Sequence, residues 1–147
     1  MEKYVKEFTM LIENFDEKTK KRLNTQVLVN LLNKIKDKNN SDIDQLVNEL
    51  LSTFKGTANM ESFDQKLYRK QYALLVKTVR TTFGYIAKGT LVGEKMSIGI
   101  AIGVAIGAGL MTINAGFIGI GIAIGVSLGL VFGSSQEKKE EEKGNIY

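Results

Sequence analysis

The sequence predicts an all-α protein in which an N-terminal small helical bundle is followed by a two-helix, glycine-rich transmembrane hairpin. Three observations predict it. Apolar residues recur at spacings of three and four through the first ninety residues. Charge is segregated along the chain: residues 1–95 hold 17 Lys/Arg and 12 Asp/Glu, residues 96–133 hold none, and residues 134–147 hold three Lys and four Glu. Within the uncharged stretch, "GIAIGVAIG" (99–107) and "GIAIGVSLG" (121–129) put glycine at every fourth position.

The first helix is expected over residues 2–15, where Tyr4, Phe8, Leu11 and Phe15 share a face. A second, over 17–37, places Leu23, Val27, Leu28, Leu31 and Ile35 on one side, with Lys18, Lys20, Lys21 and Arg22 in its first turns. "KDKNNSD" (36–42) breaks the pattern. Ser41 is then the expected N-cap of a third helix, with Asp42 and Asp44 where the helix dipole favours acids and Gly56 at its C-terminus. A fourth runs between Glu61 and Lys88, with Tyr68, Tyr72, Leu75, Val79, Phe83 and Ile86 inside about 80° of arc and Lys66, Lys70 and Lys77 opposite. Four such helices can bury one small core of modest stability, giving a basic cytoplasmic domain over 1–90.

The uncharged run Met96–Gly133 is 38 residues long. One span needs about 20, so the run is read as two, 96–113 and 115–133, with Asn114 and Gly116 of "TINAG" making the hairpin turn. Helices cannot be driven together in lipid by apolar burial, whereas close backbone packing can do it. Gly99, Gly103 and Gly107 therefore form the expected packing stripe of the first span, and Gly121, Gly125, Gly129 and Gly133 that of the second. A further small stripe (Ala101, Ala105 and Gly109; Gly119, Ala123 and Ser127) lies about 200° round each span and leaves a face for another copy, so a homo-oligomer is expected. The second span carries more large apolar residues and should insert more readily, with the first leaning on it. A β reading of the large–small alternation is disfavoured, because glycine weakens strand interiors and ladder edges would go unpaired in lipid. A glycine-packed pair buried inside a soluble fold is disfavoured because ninety residues are too few to cover it.

Lys88 and Lys95 precede the first span, Lys138, Lys139 and Lys143 follow the second, and the turn has no basic residue. Both termini are accordingly expected on the cytoplasmic side of a bacterial inner membrane. The first residues lack an apolar h-region, and no myristoylation or prenylation signal is expected. The mixed-charge tail 134–147 is expected to be disordered.

The paired "GIAIGV" runs with GxxxG spacing resemble the glycine-zipper family of small bacterial membrane proteins, over residues 96–133 alone. That resemblance implies a membrane-embedded hairpin and covers pore-forming, anchoring and uncharacterised members. A composition rich in Lys, Asn and Ile looks like that of a low-GC bacterium or its phage.

With no Cys and no His, thiolate or imidazole chemistry is excluded. There is no P-loop, Rossmann fingerprint or paired-carboxylate motif, so no enzyme, cofactor or metal site is expected. The lipid bilayer is the expected partner. Lys66, Lys70, Lys77, Lys88 and Lys95 are candidates for lipid-headgroup contact, weighed against a plain solvated surface, while nucleic acid is disfavoured by a net charge of only +5 over residues 1–95. Two roles compete. One is an adaptor or scaffold whose N-terminal domain meets an unidentified protein partner. The other is a pore- or lesion-forming protein (a toxin, holin-like protein or defence effector), although Ser97, Thr112, Asn114 and Ser127 are the only distinctly polar groups such a pore could use.

Overall fold

The computed structural model describes residues 2–13, 15–55, 63–111 and 116–147. It is all-α: α1 (Glu2–Ile12), α2 (Glu17–Arg22), α3 (Thr25–Ile35), α4 (Ser41–Lys55), α5 (Gln65–Phe83), α6 (Thr90–Gly109) and α7 (Phe117–Glu142). Among the described residues the one extended feature is an isolated parallel bridge between Ile86 and Ile146. The chain forms two compact units, residues 1–85 with Tyr147, and residues 86–146.

The first unit, α1 to α5, has an ordinary side-chain core. Phe8, Leu28, Leu31, Leu32, Ile35, Ile43, Val47, Leu50, Leu51, Leu75 and Val79 are buried in it. Phe54 is its aromatic hub, with ring centroids 5.4 Å from Phe8, 5.1 Å from Phe63 and 5.3 Å from Tyr68. The edge-on approach of the Phe8 and Tyr68 rings is the arrangement that aromatic quadrupoles favour.

The segment expected as one helix over 17–37 is two. Asp16 caps α2, its carboxylate accepting from the Thr19 amide at 3.3 Å, and the Thr19 side chain is the main cause of a carboxyl pKa below the usual range. Asn24 then adopts the left-handed region (φ 52°) before α3 begins. Asn is one of the few residues that visits this region readily, and the bend lets Leu23, Thr25 and Leu28 all face the core. The break leaves the Leu23 carbonyl outside the helical ladder, and the buried Tyr68 hydroxyl donates to it at 2.6 Å. A polar group that would be costly to bury alone is thereby satisfied by a residue 45 positions away.

The cap of α4 is also displaced from its expected place. Asn40, not Ser41, accepts from the amides of Asp42 and Ile43, at 3.1 and 3.0 Å. Its longer amide arm spans the geometry a cap requires, while the Ser41 hydroxyl turns to Asp42. Gly56 and Glu61 lie outside the described residues. α5 is shorter than the expected 61–88. Asp64 caps it by accepting from the Leu67 amide at 2.9 Å, and Phe63 packs on Tyr68 at 5.6 Å, a hydrophobic staple across the first turn. Gly84 ends it at φ 73°, a conformation that costs glycine nothing, with its amide bonded to the Arg80 carbonyl.

Burial raises the phenol pKa values of Tyr68 and Tyr72, and pushes that of Tyr147, which packs against the same core, up to about 12. Because the folded values lie above the ordinary value of 10.0, the contribution of these phenols is complete below pH 10 and is lost as pH rises through the folded values. Tyr68→Phe, which strands the buried Leu23 carbonyl, should destabilise the unit by about 1–3 kcal/mol in denaturant titrations near neutral pH. It should also flatten the loss of stability that the parent shows above pH 10.

Candidate membrane hairpin

The second unit is built on a different principle. α6 and α7 run antiparallel, and of the residues buried in them all but Leu91 are glycines: Gly103 and Gly107 in α6, and Gly125, Gly129 and Gly133 in α7. The contacts are backbone on backbone. A Cβ added to Gly99 would collide with the Gly125 carbonyl, one on Gly103 with the Gly121 carbonyl, and the reciprocal additions fail in the same way. At Gly107 the obstacles are the Ile118 Cα at 2.6 Å and the Phe117 carbonyl at 2.7 Å. The structure thus brings all seven stripe glycines into one seam.

That seam continues beyond the spans read from the sequence. A Cβ added to Gly129 would come within 2.6 Å of the Met96 Cα, and one added to Gly133 within 2.6 Å of the Val92 Cα. α6 accordingly starts at Thr90, six residues before the expected 96. A signal for this was present, since four stripe glycines in the second span cannot all be matched by three in the first. The count shows that a surplus exists, and the register in the structure places its partners upstream of Gly99.

The large side chains point the other way. Ile98, Ile102, Ile106, Ile120, Ile124, Leu128, Val131 and Phe132 are all more than half exposed, Val131 at 64% and Phe132 at 61%. In the first unit only Met10, Leu67 and Leu74 are comparably uncovered among the described residues. Water rewards burial of apolar area at about 25 cal/mol per Å², and an arrangement that turns backbone inward and isoleucine outward collects little of it. An exposed apolar surface on this scale needs a covering. The hydroxyls of Ser97 and Ser127 ask nothing of that covering, since they donate to the carbonyls of Gly93 and Ala123 in their own helices, both at 2.8 Å. α6 and α7 are each long and apolar enough to cross a membrane. At 1.5 Å per residue they are about 30 and 39 Å long.

The tail expected to be disordered is helical as far as Glu142, because α7 does not stop where its apolar run ends at Gly133. Its polar extension ties down the start of α6. The Glu137 carboxylate accepts from the Gly89 amide at 2.8 Å, at the electropositive end of α6. Lys88 lies 3.7 Å from Glu141, Asn145 donates to Glu140 at 2.7 Å, and the Ile86 amide bonds the Asn145 carbonyl at 2.9 Å. Sequence reasoning missed Glu137, since one glutamate among the four of a charge-rich tail carries no spacing signal.

Of the expected turn residues, Asn114 lies outside the described residues. Gly116 precedes α7 with φ −67°, so its position does not use glycine's freedom. The second small stripe (Ala101, Ala105, Gly109, Gly119, Ala123 and Ser127) is exposed, and a Cβ on Gly109 or Gly119 would meet nothing within 4 Å. Lys66, Lys70 and Lys77 are exposed on α5, Lys88 is exposed before α6, and Lys95 is partly buried within α6, the root of its side chain against Gly133. Among the described residues no cluster of carboxylates could hold a metal ion. Comparison with protein-family models, curated proteins and solved structures finds no match to this chain.

Gly103→Leu and Gly125→Leu should force α6 and α7 apart, toward the 8–10 Å interaxial distance of ordinary helix pairs, whereas Gly109→Leu should leave them in place. The natural chain has no cysteine, so Ser97→Cys and Ser127→Cys can carry spin labels whose separation reports the difference.

Proposed function

We propose that α6 and α7 form a transmembrane hairpin that anchors the helical unit of residues 1–85 at a bacterial inner membrane, with both ends of the hairpin on the cytoplasmic side. The protein then acts as an adaptor or scaffold, holding its helical unit where a protein partner can reach it, and has no catalytic role of its own. The observation that carries the reading is the inversion of the second unit, whose interior is glycine backbone and whose surface is isoleucine, leucine, valine and phenylalanine. Such a pair is held by close packing, which works in a solvent as apolar as its own side chains.

The distribution of basic residues supports the orientation. Lys88 and Lys95 flank one end of the hairpin with Lys138, Lys139 and Lys143, and residues 96–133 contain none. The outward small stripe supports self-association, since it offers a second copy the same close approach that α6 and α7 use on each other. Membership of the glycine-zipper family is part of this proposal and rests on the GxxxG spacing of the two spans.

After cell lysis the chain should sediment with membranes, resist extraction at alkaline pH and dissolve only with detergent. Recovery in the aqueous supernatant without detergent would overturn the anchor. In reconstituted liposomes the anchor predicts binding without dye release. Release that is abolished by Gly103→Leu with Gly125→Leu would instead assign the hairpin to the pore-forming class.

A further inference from the structure

The outward face of α5 is unlike the rest of the first unit's surface. The helix carries Lys66, Arg69, Lys70, Lys77 and Arg80 and not one acidic residue over its 19 positions. At 100° per residue, Lys66, Leu67, Lys70, Ala73, Leu74, Lys77 and Thr81 fall within about 120° of arc, and all are exposed. Lys66, Arg69, Lys70 and Lys77 make no ion pair or hydrogen bond with any described residue. Elsewhere in the unit Lys20 pairs with Glu17 and Lys55 with Glu7, while Lys3, Lys6, Lys18, Lys21, Lys36 and Lys38 are exposed without an ion pair to any described residue, so what sets α5 apart is a run of basic residues with no acid along the helix. Of the three prominently exposed large apolar side chains among its described residues, two, Leu67 at 42% and Leu74 at 47%, lie two turns apart on this same face, with Lys70 between them.

We propose that this face of α5 rests on an anionic lipid surface, its lysines against headgroup phosphates and Leu67 and Leu74 at the level of the acyl-chain boundary. Lysines beside leucines, with no acid among them, match the chemistry of an interface that is negative outside and apolar a few ångströms below. Two leucines two turns apart on one acid-free basic face suit such an interface better than a plain solvated surface. Each basic residue at such a surface improves partitioning about fivefold, and the gain is screened by salt. The inference rests on the membrane reading of α6 and α7, which brings the chain to a bilayer in the first place.

The test uses the full chain reconstituted in phosphatidylcholine vesicles with or without phosphatidylglycerol. One environment-sensitive fluorophore is placed at Ala73→Cys or, separately, at Ile102→Cys. The Ala73 label should be quenched by headgroup spin-labelled lipid only in the anionic vesicles, and high salt should abolish the quenching in the otherwise unaltered protein. Lys66→Glu with Lys70→Glu and Lys77→Glu should abolish it too, with the helical circular dichroism unchanged. The Ile102 label should be quenched by acyl-chain spin labels in both compositions. An Ala73 label that stays aqueous while the Ile102 label is quenched overturns the α5 contact and leaves the hairpin standing. An Ile102 label that stays aqueous overturns both. An Ala73 label that responds to a single-stranded oligonucleotide and not to anionic vesicles reassigns the face to nucleic acid and overturns the lipid contact.

Discussion

Backbone-to-backbone contact across the seam of α6 and α7 is the constraint on which the second unit depends. At every stripe glycine the backbone of the opposite helix occupies the place where a Cβ would be. With the glycines spent on the seam, the isoleucines, valines and leucines between them have nowhere to go but outward. One steric requirement thus sets both the interior and the surface. A pair with almost no side-chain core gains little from water and depends on dispersion and close approach.

The first unit solves the opposite problem. It folds as aqueous domains do, by burying Phe8, Phe54, Tyr68 and a set of leucines, and it handles its irregularities with local polar chemistry. The αL bend at Asn24 frees a carbonyl, and the Tyr68 hydroxyl closes the account from α5. One chain therefore contains a unit held by the hydrophobic effect and a unit that the hydrophobic effect would not hold. That contrast is the physical content of the membrane reading. The collar of Lys88, Gly89, Glu137, Glu140 and Asn145 stands where the second unit passes from apolar to polar sequence, and there hydrogen bonds resume the work of fixing the chain.

Much of the helical architecture was legible because it follows from periodicity. The faces Tyr4–Phe8, Leu28–Leu31–Ile35 and Tyr68–Leu75–Val79 were readable from spacings of three and four. Errors concentrated where one residue's local chemistry overrides the pattern. The apolar face continues across Asn24, so nothing in its spacing reveals a residue that has switched to the left-handed region. Asn40 and Ser41 are both competent caps, and which one closes on the helix depends on the path of the preceding chain. The run after Gly133 is expected to be disordered because its charge is mixed. It is helical because it continues an existing helix, where adding residues costs far less than starting one.

By itself the sequence determined that the protein is helical, that charge and apolarity occupy separate segments, and that glycines line one side of each apolar helix. These are consequences of composition and period, which act locally. Only the tertiary structure decided which glycine meets which carbonyl, that the seam runs back to Val92, that Glu137 reaches the start of α6, and that Tyr68 serves the carbonyl of Leu23. Those are pairings between residues 10 to 48 positions apart, from Gly107 and Phe117 to Gly89 and Glu137. They depend on how two helices cross, and no local pattern encodes a crossing.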